Sequence, residues 1–392
     1  MRLSRVILAG TALCLGTVAR AVYAPIPEQD QGKALTLSVQ TGISYNSNIF
    51  GAPSDAISSY IYELSPKLAY NASVFEDTFV SADFHPTLDY FDSRPGTKTV
   101  YSQAIDGRVA HSFSQTSVLD LSDSYSYNQN PESLLNGVPV NSDQTLQSNE
   151  FNGRISFAPT EKLGMVLKVR SVYFDYTDAL LGSELNRFEN LYGVESDMTI
   201  LPNLKLAGEY RHQDVQYDTS PGTKDKHSDF IMAGFDYNVG PKVTASMRVG
   251  AEYRQRSGLS SETTPYVEVS GKYDYAKGSF VSAGYTYSLE ETSNPLLFSD
   301  EKTSKIFVNI QHEVSALVVA SASLDYEPSS LQGIPPQADI SEDSTHAGVA
   351  LTYLPSKNWT ISASFDYDLV DSAIASRGMN RSRFGISATV VF

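Results

Sequence analysis

The side chains best suited to catalysis in this chain are its six histidines, and their spacing argues against an enzyme. They are scattered over the sequence, at His85, His111, His212, His227, His312 and His346. None has a second histidine at i+4, the spacing that brings two imidazoles to one helix face to bind zinc. His111, His212 and His312 are expected to face outward near the membrane interfaces, but none is accompanied by a serine and a third orienting group, as a hydrolase requires. The sequence predicts no catalytic residue, no metal and no cofactor.

A second set of candidate residues is charged and suits a pore better than a catalytic site. The basic members are Arg154, Lys168 and Arg170, and the acidic members are Asp325, Asp366 and Asp368. If the two groups line opposite walls of a channel, they create a transverse field that orients dipolar solutes and sets ion selectivity. In the alternative interpretation they form salt-bridge ladders with neighbours on adjacent strands, for which the candidates are Glu195, Asp197, Glu209 and Arg211. The sequence leaves both interpretations open.

The segments that carry these residues alternate between apolar and polar side chains. From Trp359 to Leu369 every second residue is apolar, and the residues between them are Thr, Ser and Asp. The same alternation runs from Val281 to Leu289 and from Val243 to Tyr253. A period of two is the pattern of a β-strand with one apolar face.

These strands predict a closed barrel in a membrane. After the N-terminal leader, no stretch has enough consecutive apolar residues for a transmembrane helix. Lipid cannot satisfy the backbone groups of an open sheet edge, so a sheet that spans a membrane must close. We predict an all-β fold, a single up-and-down antiparallel transmembrane β-barrel of about 18 strands, with 16 or 20 as alternatives. Short turns alternate with longer loops, which places the turns in the periplasm and the loops outside.

The N-terminus predicts export. Arg2 and Arg5 precede an apolar stretch, and small residues follow it. This is the pattern of a signal peptide, residues 1–21, with an alternative cut after residue 24. The mature chain then consists of a short periplasmic segment, residues 22–33, and the barrel, residues 34–392. Cys14, the only cysteine, leaves with the signal peptide, which excludes a disulfide.

The net charge and the pattern of the last strand indicate which partners to expect. The formal net charge is −16, and loss of the leader makes the chain more acidic, which disfavours nucleic acid. The last strand alternates and ends on an aromatic residue, with Phe384, Ile386, Val390 and Phe392 on one face. This pattern resembles the signal that the outer-membrane barrel assembly machinery recognises. The expected partners are therefore that machinery and the lipid of the outer membrane. All outward surfaces look similarly apolar in the sequence, so no oligomer is assumed.

Three stretches resemble one family. Residues 45–50, YNSNIF, end the first strand, residues 61–68, IYELSPKL, lie in the second, and the last hairpin runs to Phe392. The chain is similar in these motifs to the β-barrel porins often associated with exopolysaccharide loci. The family has an acidic residue after the motif tyrosine, and this chain has Asn46, so a role carried by that acid does not transfer. For this motif we favour a structural interpretation, in which Asn46 and Asn48 tolerate the left-handed αL conformation and cap the bend into the first loop.

Together these features predict a porin-like channel in the outer membrane of a Gram-negative bacterium. Small hydrophilic solutes or polysaccharide would pass through it. The alternatives are an exopolysaccharide-export barrel that needs partner proteins, and a closed structural or surface-binding barrel. No separate plug domain is expected, so any constriction must come from side chains or from an infolded loop. The third outer loop, residues 129–146, is long enough to fold inward, although a solvated surface loop is an equal alternative.

Overall fold

The computed structural model describes residues 34–129, 134–135, 138–139, 145–218, 224–240, 242–292, 294–295, 297–374 and 377–392. The predicted signal peptide and the predicted periplasmic segment lie outside the described residues. Most of the third outer loop also lies outside them, so its inward course stays a prediction.

Eighteen long strands, β1 to β18 in chain order, form the main sheet. The first nine are β1 Leu35–Asn46, β2 Ser59–Phe75, β3 Thr78–Phe91, β4 Thr99–Ser114, β5 Ser117–Asn128, β6 Leu146–Phe157, β7 Leu163–Tyr176, β8 Arg187–Leu201 and β9 Leu204–Tyr217. The others are β10 Lys226–Val239, β11 Val243–Arg256, β12 Glu262–Ala276, β13 Ser279–Glu290, β14 Phe298–Ser315, β15 Val318–Gly333, β16 Ile340–Tyr353, β17 Trp359–Ser372 and β18 Met379–Val391. A two-residue hairpin, Leu134–Leu135 with Val138–Pro139, and one helix, α1 Ala179–Leu185, lie in loops. Within the described ranges, no helix is long and apolar enough to cross a membrane.

The sheet closes on itself. Each strand pairs antiparallel with the next along the chain, and β1 also pairs with β18. Ile43 of β1 lies opposite Tyr62 of β2 on one side and opposite Ile386 of β18 on the other. The prediction of an all-β barrel of 18 antiparallel strands is therefore confirmed. Closure gives the backbone groups of both terminal strands a partner, which lipid cannot provide.

The connections alternate in length, and the strands extend further at the loop side than the sequence pattern indicated. Tight turns such as 115–116 and 316–317 alternate with long loops such as 47–58. β14 begins at Phe298 and β15 ends at Gly333, although the alternation predicts a start near 303 and an end near 326. Above the bilayer or inside the barrel, the side chains of a strand no longer meet lipid. The apolar alternation therefore stops while the backbone ladder continues.

The two faces of the sheet differ as a membrane requires. Large apolar side chains stand on the outer face, where Ile231 is 70% exposed and Phe384 is 52% exposed. Polar and charged side chains alternate with them and point into the barrel. The described residues therefore form no central apolar core. Its buried apolar clusters are small, and one of them, formed by Ile49, Phe91 and Val100, supports the first outer loop.

The motif at the end of β1 forms a turn that side-chain hydrogen bonds stabilise. Asn46 and Asn48 are both 1% exposed. The Asn48 backbone N–H donates to Asn46 Oδ1 at 2.9 Å, and the Asn48 amide group donates to the Ala52 carbonyl at 2.8 Å. It also donates to the Asn380 carbonyl at 3.2 Å, which joins the first loop to β18. The structural interpretation is confirmed, but neither asparagine has a positive φ, so side-chain hydrogen bonds shape the turn.

Candidate functional site

At the long-loop end of the barrel, β12 and β13 are no longer paired. The pairing of these two strands ends at Val267 with Tyr287. Beyond that level β12 continues to Glu262, paired with β11 alone. β13 continues to Glu290, paired with β14 alone. The upper ends of β13 and β14 are thus free to leave the wall of the barrel.

These upper ends fold into the barrel. We call the described residues of 289–303 the mouth segment. Arg254 and Arg256 alternate along β11 with Tyr253, which is 41% exposed on the outer face, so the two arginines point into the lumen. Both of them contact the mouth segment at Asp300, over distances of 3.1 and 3.0 Å. The upper end of β14, which lies three strands from β11 along the wall, therefore contacts β11 on the inside of the barrel.

Glu291 is the main anchor of the mouth segment. Its carboxylate accepts hydrogen bonds from Arg256 Nη2 at 2.8 and 3.0 Å and from the Tyr217 hydroxyl at 2.7 Å. The Lys226 ammonium lies 2.8 Å away. These partners come from β9, β10 and β11, so one carboxylate ties the loop after β13 to three strands of the neighbouring wall.

The anchor is buried and keeps its charge. Glu291 is 6% exposed, Lys226 1% and Arg256 5%. Burial raises the pKa of the Glu291 carboxyl, but Arg256 and Lys226 outweigh it and hold the pKa well below its ordinary value. Its contribution to stability is therefore present above the unfolded pKa of about 4.3 and is lost only as the pH falls towards the folded pKa. The mouth segment stays anchored at neutral pH.

Below the mouth segment, charged side chains form a continuous network that we call the lumen ladder. Lys168 Nζ lies 2.6 Å from Glu195 and 2.8 Å from Glu209. Arg211 donates to Glu209 at 2.8 and 3.0 Å. Arg248 joins Glu195 at 3.3 Å from β11. These contacts connect β7 to β11 across the inner surface, so the charges of this wall neutralise one another.

The opposite wall is also paired. Asp368 accepts hydrogen bonds from Arg381 at 2.8 Å and lies 3.2 Å from Arg383 and 2.6 Å from His346 Nδ1. Asp366 lies 4.0 Å from the other nitrogen of His346. Asp325 stands opposite His346 in the register of β15 and β16. Basic residues of β16 and β18 thus accompany the predicted acidic group.

The six candidate pore residues lie on two arcs of the inner surface. Arg154 and Lys168 are register partners on β6 and β7, and Arg170 lies 3.5 Å from Glu150. The structure brings each arc together but surrounds it with counter-charges, as the salt-bridge alternative describes. Sequence reasoning missed the mouth-segment residues Glu291 and Asp300. The sequence shows them only as two acids in an outer loop, and their partners are 35 to 74 residues away.

The inner surface below the charges of Asp366 and Asp368 carries small polar side chains. On the turn-side half of β16, β17 and β18, and along β1, the inward positions are mainly Ser, Thr and Gly. Representative members, all partly exposed, are Ser38, Ser44, Ser362, Ser364, Ser387 and Thr389. We call this surface the hydroxyl wall. It lies about half-way round the barrel from the lumen ladder.

Two inward aromatic rings have close neighbours. The Arg187 guanidinium lies 4.4 Å from the centre of the Phe174 ring, which stays partly exposed. Tyr266 is 5% exposed and packs edge-to-face against Phe230, with ring centres 5.4 Å apart. Sugar stacking needs an exposed aromatic face, which Tyr266 does not present.

The predicted assembly signal lies on the strand that closes the barrel. Phe384, Ile386 and Phe392 are 52%, 47% and 58% exposed on the outer face of the C-terminal segment, and Val390 shares that face. Its recognition by the assembly machinery stays a prediction.

Among the comparisons with known proteins, a family model identifies the family of this chain. A sequence model of the family described as "Putative beta-barrel porin 2" matches residues 34–392. No curated protein matches the chain. Two Pseudomonas aeruginosa structures are similar in outline. OpdQ is 12% identical, with 92% of this chain and 100% of that chain covered and a TM-score of 0.49. OccK2 (OpdF) is 9% identical, with 91% and 98% covered and a TM-score of 0.49. At these TM-scores neither likeness carries an argument about function.

Replacing Glu291 with Ala should release the mouth segment. Arg256 and Lys226 would stay buried without their main counter-charge, and breaking a buried ion pair costs about 3–5 kcal/mol. Trypsin should then cut the folded barrel after Lys302 about tenfold faster or more, because proteolysis follows local opening. Mass spectrometry of a limited digest in detergent measures this rate.

The matched control is Glu161→Ala, which removes the same side chain from an exposed turn. It should leave cleavage after Lys302 unchanged. If the Glu291→Ala barrel resists trypsin as well as the natural chain does, Glu291 does not hold the mouth segment.

Proposed function

Because the chain belongs to the β-barrel porin family whose sequence model spans residues 34–392, we propose that it lets small hydrophilic solutes diffuse across the outer membrane of a Gram-negative bacterium. The family and the closed barrel identify a porin-like outer-membrane channel. The solute class is the proposal. An 18-stranded barrel lies in the size range in which an aqueous channel remains unless something fills it.

The hydroxyl wall is the observation that carries this proposal. Its side chains are short, uncharged and partly exposed to water. Hydroxyl groups exchange hydrogen bonds with a passing solute without holding it, which a channel requires. The Thr389 hydroxyl on β18 already donates such a bond to Gln40 Oε1 on β1 at 3.1 Å. A solute would therefore travel off-centre, along this wall and past the lumen ladder.

Polysaccharide is a less suitable cargo for this lumen. A glycan chain needs a wide conduit or a track of aromatic faces. The mouth segment lies inside the barrel against β11, the Tyr266 ring is buried, and Arg187 stands over the Phe174 ring. Exopolysaccharide export would therefore require partner proteins and an opened mouth segment.

A closed barrel that binds an outside partner is the second candidate. The anchored mouth segment favours it, because Glu291 and Asp300 hold the loop inside the barrel, against β11, through buried contacts. The two candidates differ in whether solute passes while these contacts are intact.

Liposome swelling separates the candidates. Vesicles that contain the mature protein should swell in monosaccharide and disaccharide solutions and should not swell in dextran. The Glu291→Ala variant should admit larger oligosaccharides, because its mouth segment is released. Vesicles that swell in none of these sugars with the natural chain, but do with the variant, would establish the closed barrel instead.

We further propose that the two charged arcs tune ion selectivity. Replacing Arg154, Lys168 and Arg170 with Ser removes three cations and leaves Glu195 and Glu209 facing the lumen. The channel should become more cation-selective, with a reversal potential shifted by about 10 mV in a tenfold salt gradient. The reciprocal variant, with Asn at Asp325, Asp366 and Asp368, should shift it the opposite way. If the selectivity of both variants equals that of the natural channel, the arcs have no role in permeation.

A further inference from the structure

Two carboxylates stand side by side at the base of the mouth segment. Glu290 is the last residue of β13, and its register partner on β14 is Glu301. Residues directly opposite each other in an antiparallel pair extend from the same face of the sheet, with Cβ atoms about 4.5–5.5 Å apart. Like charges in this position destabilise the strand pair. We call Glu290 and Glu301 the acid pair.

The acid pair is shielded from water. Glu301 is 2% exposed, and Glu290 is partly buried. Glu301 Oε2 is buried and has no hydrogen-bond partner among the described residues. Glu290 Oε1 accepts a hydrogen bond from the Ser288 hydroxyl at 3.3 Å. A buried carboxyl with an unsatisfied oxygen is much more costly when it is ionised than when it is protonated.

The charged groups around the acid pair do not neutralise it. Those that act on it are three further acids and one cation: Glu189 of β8, Glu327 of β15, Glu342 of β16 and Lys305 of β14. Lys305 attracts Glu290 but lies 3.2 Å from Glu327, so its charge is shared. Arg187 and Arg377 lie 2.7 and 2.8 Å from the other two acids. Ionisation of both members of the acid pair therefore adds negative charge to an acidic surrounding.

The acid pair lies beyond the membrane-spanning part of its strands. Glu290 is eleven residues after Ser279, the first residue of β13. A tilted strand climbs about 2.6 Å per residue, so Glu290 stands roughly 29 Å above the turn. The apolar band of such a barrel is about 25 Å tall. The acid pair therefore exchanges protons with the water at the outer end of the barrel.

Burial makes the acid pair titrate near neutral pH. It raises the pKa of the Glu301 carboxyl to about 8, a shift that the Ser329 hydroxyl opposes and Glu290 reinforces. Burial and Glu327 also raise the pKa of Glu290. A carboxyl with a raised folded pKa stabilises the folded arrangement fully below its unfolded pKa of about 4.3. That stabilisation is lost as the pH rises through the folded pKa, so the acid pair supports the mouth segment in acid and opposes it in alkali.

The acid pair adjoins the anchors of the mouth segment. Glu290 precedes Glu291, and Glu301 follows Asp300. A separation of β13 from β14 at the acid pair therefore acts directly on the contacts of Glu291 and Asp300 with Arg256. Glu291 itself has the opposite dependence and is released only in strong acid, so it does not open the segment near neutral pH.

From this arrangement we infer that the mouth segment is a gate, which ionisation of the acid pair opens as the pH rises. When both carboxylates are charged, their repulsion separates the upper ends of β13 and β14 and withdraws Glu291 and Asp300 from β11. When they are protonated, the segment stays inside the barrel. The inference rests on the proposed function, because a gate regulates a channel only if solute passes through it.

Liposome swelling at two pH values tests the gate. With the natural chain, entry of a linear hexasaccharide, relative to a disaccharide, should rise about tenfold or more from pH 6 to pH 9, because opening releases protons. The variant with Gln at both Glu290 and Glu301 should show no rise. The matched control, with Gln at Glu76 and Glu161, loses two carboxylates from exposed turns and should behave as the natural chain does. Disaccharide entry with pH-independent hexasaccharide entry would overturn the gate and leave the proposed function intact.

Trypsin cleavage gives a readout that needs no permeation. At pH 8 the mouth segment of the Glu290→Gln, Glu301→Gln variant should be cut after Lys302 about tenfold more slowly than that of the natural chain or the control. Slower cleavage in a barrel that admits no sugar at either pH would support the gate and contradict the proposed function. Equal cleavage of all three barrels would overturn the inference, whether or not sugar enters.

Discussion

Closure of the sheet is the constraint on which the rest of this structure depends. Backbone groups in lipid must be paired, and the pairing of β1 with β18 removes the two edges that an open sheet would expose. Closure then divides every strand into an outer face for lipid and an inner face for water. The chemistry of the molecule follows from that division, because charged side chains can be placed only inside or beyond the membrane.

The inner charges are arranged as mutually satisfied networks and not as bare walls. Removing an ion from water is costly unless a counter-charge and further hydrogen bonds replace its hydration. The lumen ladder meets this need for Lys168 with Glu195 and Glu209, and the mouth segment meets it for Arg256 with Glu291 and Asp300. The same pairing fixes the shape of the lumen: it immobilises the long charged side chains and leaves the hydroxyl wall lined by small groups on the turn side of the barrel.

Much of the fold could be predicted from the sequence, because apolar and polar residues alternate along each strand and so identify its two faces. The strand number and the lumen-facing position of residues such as Lys168 follow from that alternation. Two features could not be predicted. The inward course of the mouth segment depends on Glu291 meeting partners that are distant in the chain. The pairing of Asp368 with Arg381 and Arg383 depends on register between strands. Alternation within one strand carries no information about register.

The most direct test of the account is the single-channel conductance of the refolded mature protein in a planar bilayer. An aqueous path along the hydroxyl wall predicts a stable conductance on the order of a nanosiemens, as a water-filled lumen in an 18-stranded barrel allows. A correctly folded barrel that conducts no ions would contradict the account. It would mean that the mouth segment and the lumen ladder together close the lumen.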